Sequence, residues 1–207
     1  KVHIFQLRDQ RNSKTVDFET QIIDCDHKNG LFGFIFPKSK YYFSDFRDLV
    51  SSTRSLDLIE SNLKTELKFI RIDPRGESLI IIDQVGRGNF CKIESVRNKK
   101  LESKILFPTL KTKIRNREYY SSPTAVAYCQ IGPRESSQCI LVANDAKNLT
   151  IWNWIKKHQG LNFKEEDFDE AVTAAAFNSN CTAFVFSTGY CWNCGVSGIK
   201  DIKSGPE

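Results

Sequence analysis

One layout recurs four times along this chain, and the recurrence constrains its fold more than any other feature. An apolar run is followed by a polar turn, a second apolar run and another turn. In three copies a closing run carries an aromatic side chain. The opening runs lie around Ile22 and Ile23, and at residues 67–70, 124–128 and 172–177. The second runs are residues 31–36, 79–82, 139–143 and 183–187, and the closing runs are 40–43, 89–93 and 149–154. Residues 2–7 read as the closing run of a preceding copy. All are strand-sized, helical periodicity is weak throughout, and turn formers such as Asp73-Pro74-Arg75-Gly76, Asn144-Asp145 and Asn178-Ser179-Asn180 separate them. The reading is all-β.

Spacing narrows the choice. Phe5 to Phe43 is 38 residues and Phe43 to Phe90 is 47. Radially repeated sheets recur at about 40–45 residues, which favours a β-propeller over a sandwich. Phe90 to Trp152 is 62 residues, so that copy carries an insertion. Residues 97–117 hold eight Lys or Arg and one acid, a net +7 that leaves −2 for the rest of a chain whose total is +5. The expected division is 1–14 closing strand of a preceding blade, 15–55 blade, 56–96 blade, 97–122 basic insertion, 123–160 blade, and 161–207 acidic linker and last blade. A chain of 207 residues then covers about the C-terminal four to five blades of a ring of about seven. The absence of Met and the start inside an apparent strand carry the same expectation, that the native N-terminal region lies outside this sequence.

Fifteen Phe suit a β core in which rings fill the space between sheets. No run approaches the ~20 apolar residues of a helical membrane span. Seven Cys form no framework spacing, which points to reduced thiols and a cytosolic or nuclear compartment. Cys191-Trp192-Asn193-Cys194 is a lone CxxC with no further ligand pair at zinc spacing, so no metal is expected. Gly86-Arg87-Gly88 lacks the third glycine of a dinucleotide loop and precedes a strand. His3, His27 and His158 have no nucleophile motif beside them, and Asp24 with Asp26 is an ordinary turn pairing. No catalytic residue, cofactor or small-molecule substrate is expected, and the chain reads as a non-enzymatic scaffold.

Leu149-Thr150-Ile151-Trp152-Asn153 resembles the last strand of a WD repeat, with Asn in the usual Asp position. Ser61-Asn62-Leu63-Lys64, Leu67-Lys68-Phe69-Ile70-Arg71, Pro74, Gly76 and Gly86-Arg87 together resemble one blade of a narrower group. That group holds the mRNA export and nuclear-pore propeller and its sister, the Bub-type mitotic checkpoint propeller. Val172 to Asn178 resembles the last-blade strand of the group. Tyr190, Trp192 and Gly195 fall in step with the export member, whose sister lacks the Trp and Gly. Asp45-Phe46-Arg47-Asp48-Leu49 is similar to a segment that follows an earlier blade. A basic run of the group falls near Pro108 to Lys111, where only Lys111 keeps the charge.

The resemblance implies a scaffold in the nucleus, at the nuclear pore and in the cytoplasm, binding a peptide with paired glutamates from a nucleoporin during mRNA export. An alternative is a kinetochore adaptor that recruits checkpoint kinases through the same motif. A second is an unrelated propeller, either a WD-repeat interaction scaffold or a hydrolase whose active groups lie outside this sequence. Carboxylate recognition calls for fixed cations. Carried over by position, these are Arg87 first, then Arg71 and Lys68, with Lys111 a weaker stand-in and Tyr190 and Trp192 as stacking groups. RNA contact, also implied, would fall to Lys99, Lys100, Lys104, Lys113, Arg115 and Arg117 of the insertion, with Phe107, Tyr119 and Tyr120 able to stack bases. The bland reading of the insertion is a solvated loop.

Overall fold

In the computed structural model the described residues are 2–4, 14–16, 18, 20–51, 57–63, 65–95, 100–107, 111–114, 117–130, 138–153, 158–163, 167–178 and 181–189. They form two compact units, residues 1–83 with 89–104, and residues 84–88 with 105–207. Both are built of antiparallel sheet.

In the first unit β1 (Val2–Ile4) pairs with β2 (Lys14–Val16). A four-stranded meander follows, made of β3 (Asp24–Lys28), β4 (Leu31–Phe36), β5 (Lys40–Asp45) and β6 (Ile59–Glu60). Asn29 and Gly30 join β3 to β4 with φ of 46° and 77°. Positive φ at both central residues is what a tight hairpin matching the strand twist requires, and Asn-Gly adopts it at least cost. The one described helix, α1 (Phe46–Ser51), is capped by Asp45, whose Oδ1 accepts from Asp48 N at 2.8 Å. A second meander holds β7 (Leu67–Ile72), β8 (Ser78–Asp83), β9 (Gly88–Ser95) and β10 (Lys100–Phe107).

The second unit carries the hairpin β11 (Lys111–Ile114) with β12 (Arg117–Tyr120). A third meander follows, β13 (Pro123–Gln130), β14 (Gln138–Asn144), β15 (Leu149–Asn153) and β16 (His158–Phe163). The hairpin β17 (Ala171–Phe177) with β18 (Phe184–Gly189) completes the described strands.

The repeat seen in the sequence has a counterpart in register. β7, β13 and β17 each carry a bulge near their start, at Leu67/Phe69, Pro123/Ala125 and Val172/Ala174. The flanking Leu67, Pro123 and Val172 are all buried. Two hairpins share one hydrogen-bonded turn. Asp73 N donates to Ser78 O and Gly76 N to Asp73 O, while Asn178 N donates to Ala183 O and Cys181 N to Asn178 O. The third turn residue has positive φ in both, 76° at Gly76 and 55° at Cys181. In the first, the Asp73 carboxylate accepts from Arg75 N, Glu77 N and Ser78 Oγ.

Sheets stack through their apolar faces. Leu31, Ile35, Tyr41 and Phe43 of the first meander meet Leu67, Ile70, Ile72, Leu79, Ile81 and Cys91 of the second. Gly33 permits the approach, since a Cβ there would lie 2.9 Å from Ile70 Cδ1 and 3.3 Å from Ile72 Cδ1. The opposite face of the first meander buries Phe34, Phe36 and Tyr42 with Val16, Phe18 and Leu49. In the second unit Ala125, Leu141, Leu149, Ile151 and Val172 form the core.

The first opening run differs from expectation. The strand starts at Asp24, after Ile22 and Ile23, and Ile23 is exposed. Each meander also has a fourth strand, β6, β10 or β16, beyond the three runs legible by hydropathy. β10 falls within residues 97–122, so part of the segment read as an insertion forms the outer strand of its sheet.

Candidate functional site

The polar residues of β3 explain both the strand and its place. β3 lies beside β7, the first strand of the next meander. Asp24 Oδ2 accepts from Ile70 N at 2.9 Å, and Asp26 Oδ2 accepts from Ile72 N at 2.8 Å. Alternate side chains on a strand share a face, so residues 24 and 26 meet amides 70 and 72 in step. Asp24 Oδ2 also takes Arg71 Nη1 at 2.6 Å, and the same nitrogen donates to Ile70 O. Both charged side chains are about one-fifth exposed, 21% for Arg71 and 22% for Asp24. A pair this sheltered is screened less than a surface pair.

Arg71 and Lys68 flank one ring. Arg71 Cζ lies 5.2 Å and Lys68 Nζ 5.9 Å from the Phe69 centroid, within cation–π range. Cys25 lies between Asp24 and Asp26 in sequence, on the alternate face of the strand, and is exposed. Neighbouring protein atoms first, then Asp24 and Asp26, push its pKa up, against a smaller pull from Arg71.

In the first unit an open cleft of about 460 Å³ is lined by Asn29, Gly30, Asp45, Phe46, Arg47 and Arg75, among others. Arg47 stands on α1 and Arg75 on the β7–β8 turn, both exposed. The turn is held rigidly, because Arg75 N donates to Asp73 Oδ1 and Arg75 O accepts from Asn29 Nδ2 at 2.6 Å. Phe46 packs toward Phe32, at 6.3 Å between centroids, and Phe32 stacks on His27 at 4.2 Å. Arg47 and Arg75 line the cleft with Phe46 and with Asp45, whose Oδ1 already accepts from Asp48 N, and two arginines suit a carboxylate-bearing chain segment. Arg47 and Arg75 were visible in sequence only as parts of other patterns. Between them the cleft is lined by the Asn29-Gly30 turn, which is hydrogen-bonded to Arg75 O.

Of the sequence candidates, Lys68 and Arg71 come together on β7, with Arg71 engaged by Asp24. Arg87 is half-buried, follows Gly86 (φ 78°) in the β8–β9 turn, and belongs to the second unit. Lys111 starts β11 opposite Tyr120, and Lys113 lies opposite Glu118. Lys100, Lys104 and Phe107 are on β10, while Arg117, Tyr119 and Tyr120 are on β12. Lys99, Arg115, Tyr190, Trp192 and Gly195 lie outside the described residues, as do Lys64, Pro108, Cys191 and Cys194. Among the described residues no group of His, Cys, Asp or Glu is arranged to hold a metal ion, and no helix is long and apolar enough to cross a membrane. No protein-family model matches this chain, and no curated protein matches it significantly.

Proposed function

We propose that this chain is part of a WD-repeat β-propeller and works as a non-enzymatic scaffold. Its partner is a peptide with paired glutamates, of the kind the sequence resemblance implies for a nuclear-pore protein in mRNA export. The observation that carries the reading is the side-by-side placement of opening strands from successive antiparallel sheets, β3 with β7 in one unit and β13 with β17 in the other. The bulge repeated on β7, β13 and β17 supports it, since one local geometry three times over is what radial repetition of a single unit produces.

Such scaffolds bind on exposed turns and loops, which a rigid sheet framework holds in place. Arg47 and Arg75 answer to that description and match the charge of the peptide. The test is fluorescence anisotropy of a labelled paired-glutamate peptide titrated with the full-length protein. Binding that falls at least about tenfold in Arg47→Ala/Arg75→Ala, and weakens steeply with salt, is the expected result. Equal affinity for a peptide with glutamines in place of the glutamates would refute carboxylate recognition. Loss in Arg87→Ala alone would move the site to the β8–β9 turn.

A further inference from the structure

Three thiols converge in the second unit. Cys129 on β13 and Cys139 on β14 are register partners, both buried in the same core. Residues opposed across antiparallel strands have Cα atoms about 4.5–5.5 Å apart, inside the range that disulfides span. Cys181 occupies the β17–β18 turn with φ 55°, partly exposed and packed against that core. Cys129 thus has Cys139 opposite it and Cys181 packed against the same core, and none of the three is in a disulfide. Hydrogen bonding with Cys139, then burial, keeps Cys129 protonated well above the usual thiol range. The chemistry must therefore start at Cys181, the one solvent reaches.

We propose that Cys181, Cys129 and Cys139 form a peroxide-responsive disulfide relay that staples the β17–β18 turn to the β13–β14 pair. The oxidant is a hydroperoxide. The Cys181 thiolate attacks its terminal oxygen, an S–O bond forms as the O–O bond breaks, and the departing oxygen takes a proton as water or alcohol. Cys181 is then a sulfenic acid. Cys129 sulfur attacks Cys181 sulfur. The S–S bond forms, the S–O bond breaks, and hydroxide leaves with the Cys129 proton as water. The peroxide has been reduced and two thiols oxidised. Cys139 next attacks Cys129 sulfur, giving a Cys129–Cys139 disulfide and returning the Cys181 thiol with the Cys139 proton. Cys129 stands between the other two, so the staple exists in the first disulfide and is released in the second.

The test treats the full-length protein, with Cys191→Ser and Cys194→Ser throughout, with hydrogen peroxide. Remaining thiols are alkylated and the protein is mapped by mass spectrometry without reduction. A Cys129–Cys181 linked peptide should appear first and a Cys129–Cys139 peptide later, each lighter by two hydrogens, while Cys25 stays alkylatable. Cys139→Ser should accumulate the first link. Cys181→Ser should slow disulfide formation at Cys129 roughly tenfold or more, as expected when the accessible thiol is removed. Two results would overturn the relay. One is Cys181 passing to sulfinic or sulfonic acid with no linked peptide in the parent protein. The other is Cys129–Cys139 forming at the parent rate in Cys181→Ser.

Discussion

Replacing Asp24 with alanine removes an acceptor shared by a backbone amide and a guanidinium, and its cost follows from the surroundings. Ile70 is fully buried, so its N–H finds no water in exchange. Losing a hydrogen bond to a charged acceptor at such a site costs about 1.5–3 kcal/mol. Arg71 is 21% exposed and keeps its bond to Ile70 O, so its share is smaller, about 0.5–1 kcal/mol. The sum is about 2–4 kcal/mol. Asp24→Asn keeps an acceptor oxygen without the charge and should cost about half as much. Urea unfolding of the full-length protein measures this. With a slope of about 2 kcal/mol/M the midpoint of Asp24→Ala should fall by about 1–2 M. A fall of less than about 0.25 M, with unchanged slope, would refute the claim that carboxylates of β3 hold β7. A double-mutant cycle with Arg71→Ala should then give a coupling of about 0.5–1 kcal/mol, the ion-pair share alone.

Gly33→Ala should destabilise by about 1–3 kcal/mol, because its methyl must displace the buried end of Ile70; an unchanged melting temperature would mean the two sheets separate easily there. Asp73→Ala leaves three turn donors without their acceptor at a residue 1% exposed and should cost about 2–4 kcal/mol in the same unfolding assay, with Asp73→Asn recovering part. Burial first, then the Cys91 thiol, push the Tyr41 pKa above its ordinary 10. The folded state therefore holds that proton more tightly than the unfolded one, so the contribution of Tyr41 to stability is intact below pH 10 and is lost as pH rises beyond it. Tyr41→Phe should flatten that decline in a pH series of urea midpoints, and an identical decline in both proteins would contradict the assignment.

Much of the fold is legible in the sequence because apolar runs mark strands buried on both faces. The runs at residues 31–36, 79–82 and 139–143 predict strands, and there the structure forms them and buries nearly every side chain. What hydropathy misses has one physical cause. β3 reads Asp-Cys-Asp-His-Lys, too polar to signal a strand, yet its carboxylates carry the contact with β7. The available signal is a pair of aspartates two residues apart, the spacing that puts both carboxylates on one strand face. The outer strands β6 (Ile-Glu), β10 (Lys-Leu-Glu-Ser-Lys-Ile-Leu-Phe) and β16 (His-Gln-Gly-Leu-Asn-Phe) mix polar and apolar residues, so they give no clean apolar run, and charge at an edge discourages further pairing. The cleft is less legible still. Arg47 and Arg75 are 28 residues apart in sequence, and only the folded turns join them.

The proposal that these sheets are blades of one propeller is tested most directly by an experimental structure of the full-length protein bound to a paired-glutamate peptide. The account predicts four-stranded blades arranged radially around an axis lined by β3, β7, β13 and β17, with the peptide carboxylates on Arg47 and Arg75. Two sheets packed face to face as a sandwich, with those opening strands at its outer edges, would contradict it.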